Sequence, residues 1–248
     1  MAMKYTVPHE VTYYECDVNG TMTLSSMVAV AVKVSEEQSE KLGRGADFVR
    51  QFGVTWIITN YQVFVERLPK VGENVQVVTQ ATEYNKYFCY RTFWILDENG
   101  VELVRLETIF AMMNMETRKM NSVPEEIIAP YESEKTKKIK RFPKLQPVDL
   151  EKGEQLPFRV RFYDIDSNHH VNNSIYFNWI LDALGFEFLT TYVPKYVHIR
   201  FDKEVEYGNQ IESHFEKIPQ DKGMLTYHEI KIGEETYCEA NIEWQEKE

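Results

Sequence analysis

Hydrophobic residues along this chain follow two patterns, and both patterns occur twice in the same order. A short extended segment comes first, and an apolar stretch with helical spacing follows it, at Leu24–Leu42 and again at Asn173–Leu189. Long runs rich in β-branched and aromatic residues come after each helix, separated by turns that contain Gly, Pro or Asn. The order strand, helix and several long strands is therefore predicted for each half of the chain.

The predicted strands are bounded by turn residues such as Asp97–Gly100, a hairpin signal. The strands before the helices are predicted at Val7–Tyr14 and Phe158–Phe162. The long strands after the helices are predicted at Trp56–Leu68, Val75–Tyr84, Tyr87–Leu96, Glu102–Met113, Tyr196–Tyr207, Gln210–Lys217, Met224–Ile232 and Thr236–Gln245.

The stretch between the two halves has a different composition. Prolines interrupt any regular element there, and Lys135–Lys144 carries six basic residues and no acidic one. We therefore predict three parts: an N-terminal unit at residues 1–125, a Pro-rich basic linker at residues 126–157 and a C-terminal unit at residues 158–248.

The repeat extends to a short motif directly before each helix, which reads DVNGT in the first half and DSNHH in the second. In this alignment Thr21 replaces His170 and Leu68 replaces Glu204. The first copy keeps the Asp-x-Asn turn and lacks the ionisable groups. We therefore expect the chemistry in the second unit, and a degenerate site that is free to bind substrate in the first.

Composition limits the classes of function. A formal charge of −11 argues against nucleic-acid binding, which needs a basic face. No apolar run reaches the roughly 18 residues of a membrane span, and the first residues lack the apolar core of a signal peptide. Cys16, Cys89 and Cys238 are scattered, which is typical of reduced thiols. We expect a cytoplasmic protein without stable membrane insertion.

The candidate chemistry lies directly before the second helix. Asp164, Asp166, Asn168 and His170 occupy every second position, so an extended segment points them to one side. Asn172 and its neighbours are helix N-cap residues. Free backbone N–H groups at a helix start stabilise developing negative charge. The segment is therefore interpreted as half of an active site.

The stretch from residue 164 to residue 182, DIDSNHHVNNSIYFNWILD, resembles a motif of the plant and bacterial fatty acyl-ACP thioesterases. That motif runs approximately D-x-D-x-N-x-H-V-N-N-x-x-Y-x-x-W-x-[LF]-[ED]. The resemblance implies an α+β fold of two tandem hotdog units, each an antiparallel β-sheet wrapped around a long central helix. It also implies hydrolysis of the thioester of fatty acyl-acyl carrier protein to free fatty acid and carrier protein.

The same resemblance implies a set of catalytic residues, namely Asp166, Asn168, His170 and a Glu about 34 residues after the His, which is Glu204. Glu204 is then the general base that activates water, and His170 and Asn168 polarise the thioester carbonyl. Asp166 holds one of these two groups. Plant members often carry Cys after the Glu, whereas this chain has Val205, which argues against a cysteine acyl-enzyme. No cofactor and no metal is implied.

The implied partner is an acyl carrier protein that bears a fatty acyl-phosphopantetheine. The basic run Lys135–Lys144 is a candidate contact for this acidic partner. Trp56, Tyr61 and Phe64 are candidates for lining the acyl pocket, with ordinary core packing as the alternative. Further assembly into a homodimer is left open.

Three other functions remain open on the sequence. A hotdog 3-hydroxyacyl-thioester dehydratase or hydratase also pairs a His with a carboxylate. A non-catalytic acyl-thioester binding protein is the second alternative, although it has no need of both His170 and Glu204. A metal site formed by Asp164, Asp166, His169 and His170 is the third, and the weakest.

Overall fold

A computed structural model describes residues 2–166 and 169–247 of the chain. The described residues form one twelve-stranded sheet, antiparallel except for one short parallel pair. Its strands are β1 Lys4–Glu10, β2 Val54–Val65, β3 Asn74–Tyr84, β4 Phe88–Leu96, β5 Glu102–Asn114, β6 Met120–Asn121, β7 Glu134–Lys135, β8 Glu154–Arg159, β9 Tyr192–Phe201, β10 Gln210–Gln220, β11 Gly223–Ile232 and β12 Glu235–Glu246. The helices are α1 Leu24–Lys41, α2 Ala46–Arg50, α3 Glu125–Ile128, α4 Asn173–Asp182 and α5 Phe186–Thr191.

The strand order shows that the two halves are built alike. The sheet runs β1-β3-β4-β5-β2 through the first half and then β9-β12-β11-β10-β8 through the second. The halves meet where β2 pairs with β9, from Asn60 opposite Arg200 to Phe64 opposite Tyr196. The second half therefore mirrors the first about this seam, and the predicted α+β double hotdog is confirmed.

The two long helices, α1 and α4, lie against the inner face of the sheet. α1 packs on α4, and both contribute to one hydrophobic core, with Met27 and Ala31 from α1 and Phe177 and Ile180 from α4. The ring of Phe177 meets the ring of Tyr61 on β2 edge-on, with 6.2 Å between centroids. This packing fixes the N-terminal end of α4 relative to the sheet.

Several predicted bounds are wrong, for local reasons. The strand expected at Phe158–Phe162 is β8, which ends at Arg159, because Phe162–Asp164 forms a 3-10 turn held by the Asp164 side chain. The single helix expected at Asn173–Leu189 is two helices, since Gly185 adopts a positive φ of 86° between them.

Candidate active site

The candidate site begins with a tight turn directly before α4. The Asp166 N–H donates to the carbonyl of His170 at 2.9 Å, and the His169 N–H donates to the carbonyl of Asp166 at 3.0 Å. His169 has a φ of 67°, a left-handed conformation that non-glycine residues rarely adopt. Ile165 and Val171 pair as an isolated antiparallel bridge that closes the turn. His170 is thereby held at the turn's end, two residues before the N-cap Asn172.

A backbone contact between neighbouring residues brings His170 and Glu204 together. The N–H of Val171 donates to the carbonyl of Val205 at 3.3 Å, and His170 Nε2 lies 3.2 Å from Glu204 Oε2. Val205 is fully buried, which anchors the segment that carries Glu204. The imidazole and the carboxylate are 29% and 38% exposed, so water reaches both.

The surroundings of α4 reinforce this anchor. Burial raises the pKa of the Tyr176 hydroxyl, and a hydrogen bond from the Val205 backbone opposes that rise. Tyr176 belongs to the first turn of α4 and is itself buried. Helix α4 therefore holds the segment that carries Glu204 by burying Tyr176 and by the hydrogen bond between the Tyr176 hydroxyl and the Val205 backbone.

Glu204 does not lie in a strand, contrary to the predicted run Tyr196–Tyr207. β9 ends at Phe201, and the N–H groups of Asp202 and Lys203 both donate to the carbonyl of Tyr237, at 2.9 and 3.2 Å. This shared acceptor ends the regular ladder. The chain then leaves the sheet and carries Glu204 toward His170 in the connection to β10.

The other predicted residues of the motif have different positions. Asp164 is fully buried and forms an ion pair with Arg161, whose Nη2 lies 2.7 Å from Asp164 Oδ1. The pKa of Arg161 is raised by this hydrogen-bonded pair. The buried Asp164 side chain thus holds the backbone before α4 through Arg161. Asn168 falls outside the described residues, so its predicted role stays a prediction.

Arg118 is a residue of the site that sequence reasoning missed. Its guanidinium contacts Glu204 Oε2, the same oxygen that faces His170. Arg118 belongs to the turn between β5 and β6, where Asn114 Oδ1 accepts hydrogen bonds from the N–H groups of Glu116 and Thr117 at 3.1 and 2.7 Å. Neither half of the chain contains a motif that pairs this turn with Glu204, so only the fold reveals it.

A second carboxylate approaches from the other half. Glu36 on α1 is exposed, yet its pKa is raised, first by desolvation and then by the charges of Asp166 and Glu40. The effect of the Asp166 charge on Glu36 shows that α1 of the first half lies near the Asp166 turn of the second. The candidate site is therefore bordered by both halves of the chain.

The three residues predicted to line an acyl pocket do not share one face. Tyr61 is fully buried on the inner face, against Phe177. Phe64 packs on the opposite face, where its ring lies 5.2 Å from that of Tyr196. Trp56 packs edge-on against Phe110. Tyr61 thus faces helix α4, whereas Phe64 lies on the opposite face of the sheet.

Two classes of site are not found in the described part of the chain. Within residues 2–166 and 169–247, no group of three or more His, Cys, Asp or Glu side chains is placed to hold a metal ion. In the same residues, no helix is both long and apolar enough to span a bilayer.

Family models and curated relatives point to the same protein family. The model of the acyl-ACP thioesterase N-terminal domain matches residues 2–131, and that of the C-terminal domain matches residues 148–246. The chain is 26% identical to the chloroplastic acyl-[acyl-carrier-protein] hydrolase FATB3 of Cuphea viscosissima, over 94% of this chain and 60% of the relative. The chain thus spans 60% of that relative's length, and 59% of that of oleoyl-acyl carrier protein thioesterase 2 of Arabidopsis thaliana, to which it is 23% identical over 81% of this chain.

Solved structures agree with this assignment. A provisionally named oleoyl thioesterase from Lactobacillus plantarum is 37% identical, with a TM-score of 0.95 over 100% of this chain and 98% of that one. The 12:0-ACP thioesterase of Umbellularia californica has the same fold, with a TM-score of 0.88 at 19% identity over 98% of this chain and 94% of that one. The chain belongs to the acyl-ACP thioesterase family.

Proposed function

We propose that this protein hydrolyses fatty acyl-acyl carrier protein to a free fatty acid and the carrier protein. The observation that carries the proposal is the 3.2 Å contact between His170 Nε2 and Glu204 Oε2 at the start of α4. Thioester hydrolysis needs a proton acceptor for water and a donor for the carbonyl oxygen, and this pair supplies one of each. Family membership adds the substrate class, since the plant relatives are named as acyl-ACP hydrolases and thioesterases.

The proposed chemistry proceeds in two steps. Glu204 accepts a proton from water while the water oxygen attacks the thioester carbonyl carbon, and His170 donates a hydrogen bond to the carbonyl oxygen as it becomes negative. The C–S bond then breaks, and the leaving thiolate takes the proton back from Glu204. In the free protein His170 Nε2 faces Glu204, so it must turn toward the carbonyl when substrate binds.

In this proposal the amide of Asn168 also donates a hydrogen bond to the thioester carbonyl oxygen. Asp166 holds His170 or Asn168 in position. The contacts of the Glu204 carboxylate with Arg118 and His170 both use Oε2. We therefore assign proton transfer from water to Oε1. In the free protein Arg118 and His170 both hold the carboxylate, and Arg118 keeps its contact when His170 turns toward the carbonyl.

The partner in this proposal is an acyl carrier protein with a fatty acyl-phosphopantetheine, encountered in the cytoplasm. The basic run Lys135–Lys144 is a candidate contact, although two of its lysines already pair within the chain, Lys135 with Glu125 and Lys140 with Glu83. We also propose the division into residues 1–125, 126–157 and 158–248, with catalytic groups in the last part. Dimer formation remains a separate hypothesis.

The function is tested by incubating the protein with a panel of acyl-acyl carrier proteins of different chain lengths. We expect free thiol and free fatty acid in equal amounts, with one range of chain lengths preferred. Parallel reactions with 3-hydroxyacyl and enoyl thioesters examine the dehydratase alternative. An enoyl product with its thioester intact, or tight binding with no thiol release, would reject the hydrolase.

Arg118→Ala should lower kcat about tenfold, which corresponds to about 1.4 kcal/mol of barrier, and should leave KM nearly unchanged. The reason is that Glu204 loses the positioning contact that remains after His170 has turned toward the carbonyl. The free energy of unfolding should change by less than about 0.5 kcal/mol, since exposed ion pairs contribute little. Steady-state kinetics and chemical denaturation measure both quantities.

Arg118→Lys should recover part of the lost rate, because it restores the charge without the planar fork. The neighbouring Lys119→Ala is the matched control, since Lys119 is exposed in the same turn. If Arg118→Ala and Lys119→Ala have the same kcat, Arg118 has no positioning role.

A further inference from the structure

The turn that carries His170 has a counterpart in the first half that matches it bond for bond. The N–H of Asp17 donates to the carbonyl of Thr21 at 3.0 Å, as Asp166 does to His170. Gly20 has a φ of 69°, and His169, at the same position of the second turn, has 67°. The two turns therefore agree in this hydrogen bond and in the left-handed residue that precedes Thr21 and His170.

The contact that positions Glu204 is repeated as well. The N–H of Met22 donates to the carbonyl of Pro69 at 2.8 Å, as that of Val171 does to Val205. Pro69 thus corresponds to Val205, and Leu68 to Glu204. Thr21 and Leu68 occupy the places of the imidazole and the carboxylate, so this position lacks both groups that hydrolysis requires.

A cavity of about 680 Å³ lies at this degenerate position. Its wall includes Leu68 from the first half and Trp179, Leu189 and Trp244 from the second. The volume is in the usual range for small-molecule sites, roughly 300–1,000 Å³. The first-half turn thus borders an apolar cavity that is enclosed by residues of both halves.

The rim of this cavity carries polar groups. The amide of Asn178 and the guanidinium of Arg159 have no side-chain partner among the described residues, and both border the cavity. The carboxylate of Asp17 is occupied by its own turn, accepting from the N–H of Asn19 at 2.9 Å. Asp182 and Lys247 add one charge of each sign. The free donors of Asn178 and Arg159 can hydrogen-bond to carbonyl oxygens of a ligand. Because the charges at the rim nearly balance, the polar part of that ligand is expected to be uncharged.

We propose that this cavity is a second binding site for a long acyl chain joined to an amide-containing pantetheine head, held without hydrolysis. The choice of ligand class rests on the proposed function, because the cavity lies at the position in the first half that corresponds to the proposed active site. The apolar wall takes the chain, and Asn178 and Arg159 donate to the head. Thr21 and Leu68 leave the thioester intact.

The test uses an S-alkyl pantetheine thioether with a long alkyl chain that carries a photoreactive diazirine. A thioether cannot be hydrolysed, so labelling does not depend on turnover. Labelled residues are mapped by mass spectrometry on the full chain. We expect label near His170 and Glu204 and, in addition, label at the cavity. The cavity residues expected to carry it are Leu189, Tyr192, Val193, Pro194, Trp244 and Lys247. Excess unlabelled thioether should remove it.

Leu68→Trp and Leu189→Trp each fill the cavity from a different wall and should lower its label at least tenfold relative to the active-site label. Leu150→Trp is the matched control, because Leu150 is exposed and lies outside the cavity. Thermal melts establish that each variant is folded. Equal cavity labelling in a folded filled variant and in Leu150→Trp would overturn the proposal.

Thiol release measured on the same preparations separates this proposal from the proposed function. Label near His170 and Glu204 alone, with turnover, overturns the second site and leaves the hydrolase standing. Label at the cavity without turnover of any acyl-acyl carrier protein supports the second site and rejects the hydrolase. Absence of label at both positions overturns the second site.

Discussion

Glu204→Gln should lower kcat for fatty acyl-acyl carrier protein by about 10²- to 10⁴-fold, the usual contribution of a positioned general base. Glutamine keeps the size of the side chain and an oxygen that can face Arg118 and His170, but it cannot accept a proton from water. KM should change little, because substrate binding does not need the proton acceptor. Release of free thiol under saturating substrate measures the effect.

Glu206→Gln is the matched control for this substitution. Glu206 lies in the same connection between β9 and β10, and its side chain is exposed. Its variant should keep the parent rate. Thermal melts of both variants should coincide with that of the parent, since neither residue belongs to the core. A folded Glu204→Gln protein within threefold of the parent rate would remove Glu204 from the mechanism.

Mild acid should destabilise the fold through two buried histidines. Burial lowers the pKa of His228 to about 3 and that of His198 to about 4, from an ordinary value of 6.5. Each folded-state pKa lies below the unfolded value, so the native state binds fewer protons than the unfolded state. Stability is complete above about pH 6.5 and falls as the pH drops toward the folded-state pKa.

At pH 5 each histidine should cost about 2 kcal/mol of unfolding free energy relative to pH 7, from 1.36 kcal/mol per pH unit. His228→Gln should remove the contribution of His228, so that the free energy of unfolding falls by about 2 kcal/mol less between pH 7 and pH 5 than in the parent. Chemical denaturation at pH 7, 6 and 5 measures this slope. The comparison of slopes is independent of any uniform loss of stability in the variant.

His214→Gln serves as the control on the neighbouring strand, because the His214 imidazole is paired with Glu212 at 3.2 Å. His228, in contrast, is fully buried against Thr226, with 2.8 Å between Nε2 and Oγ1. A His228→Gln slope equal to that of the parent would show that His228 gains its proton without unfolding.

Sequence patterns were sufficient for most of the architecture. Alternation and β-branched residues located the long strands from Asn74 to Asn114 to within a residue or two, because buried faces of a sheet impose a period of two. They failed where a side chain or a glycine overrode the pattern. Asp164 turned the predicted strand into a 3-10 turn, and Gly185 divided the predicted helix.

The sequence alone determined the repeated order of elements and the motif before α4, since these depend on residue type and spacing. The expectation that His170 pairs with a later carboxylate came from the family that this motif resembles. Only the tertiary structure decided that Arg118 reaches Glu204 and that a cavity lies beside Leu68. Both facts join segments far apart in the chain. Such contacts follow from how the sheet and helices pack, and no local pattern encodes them.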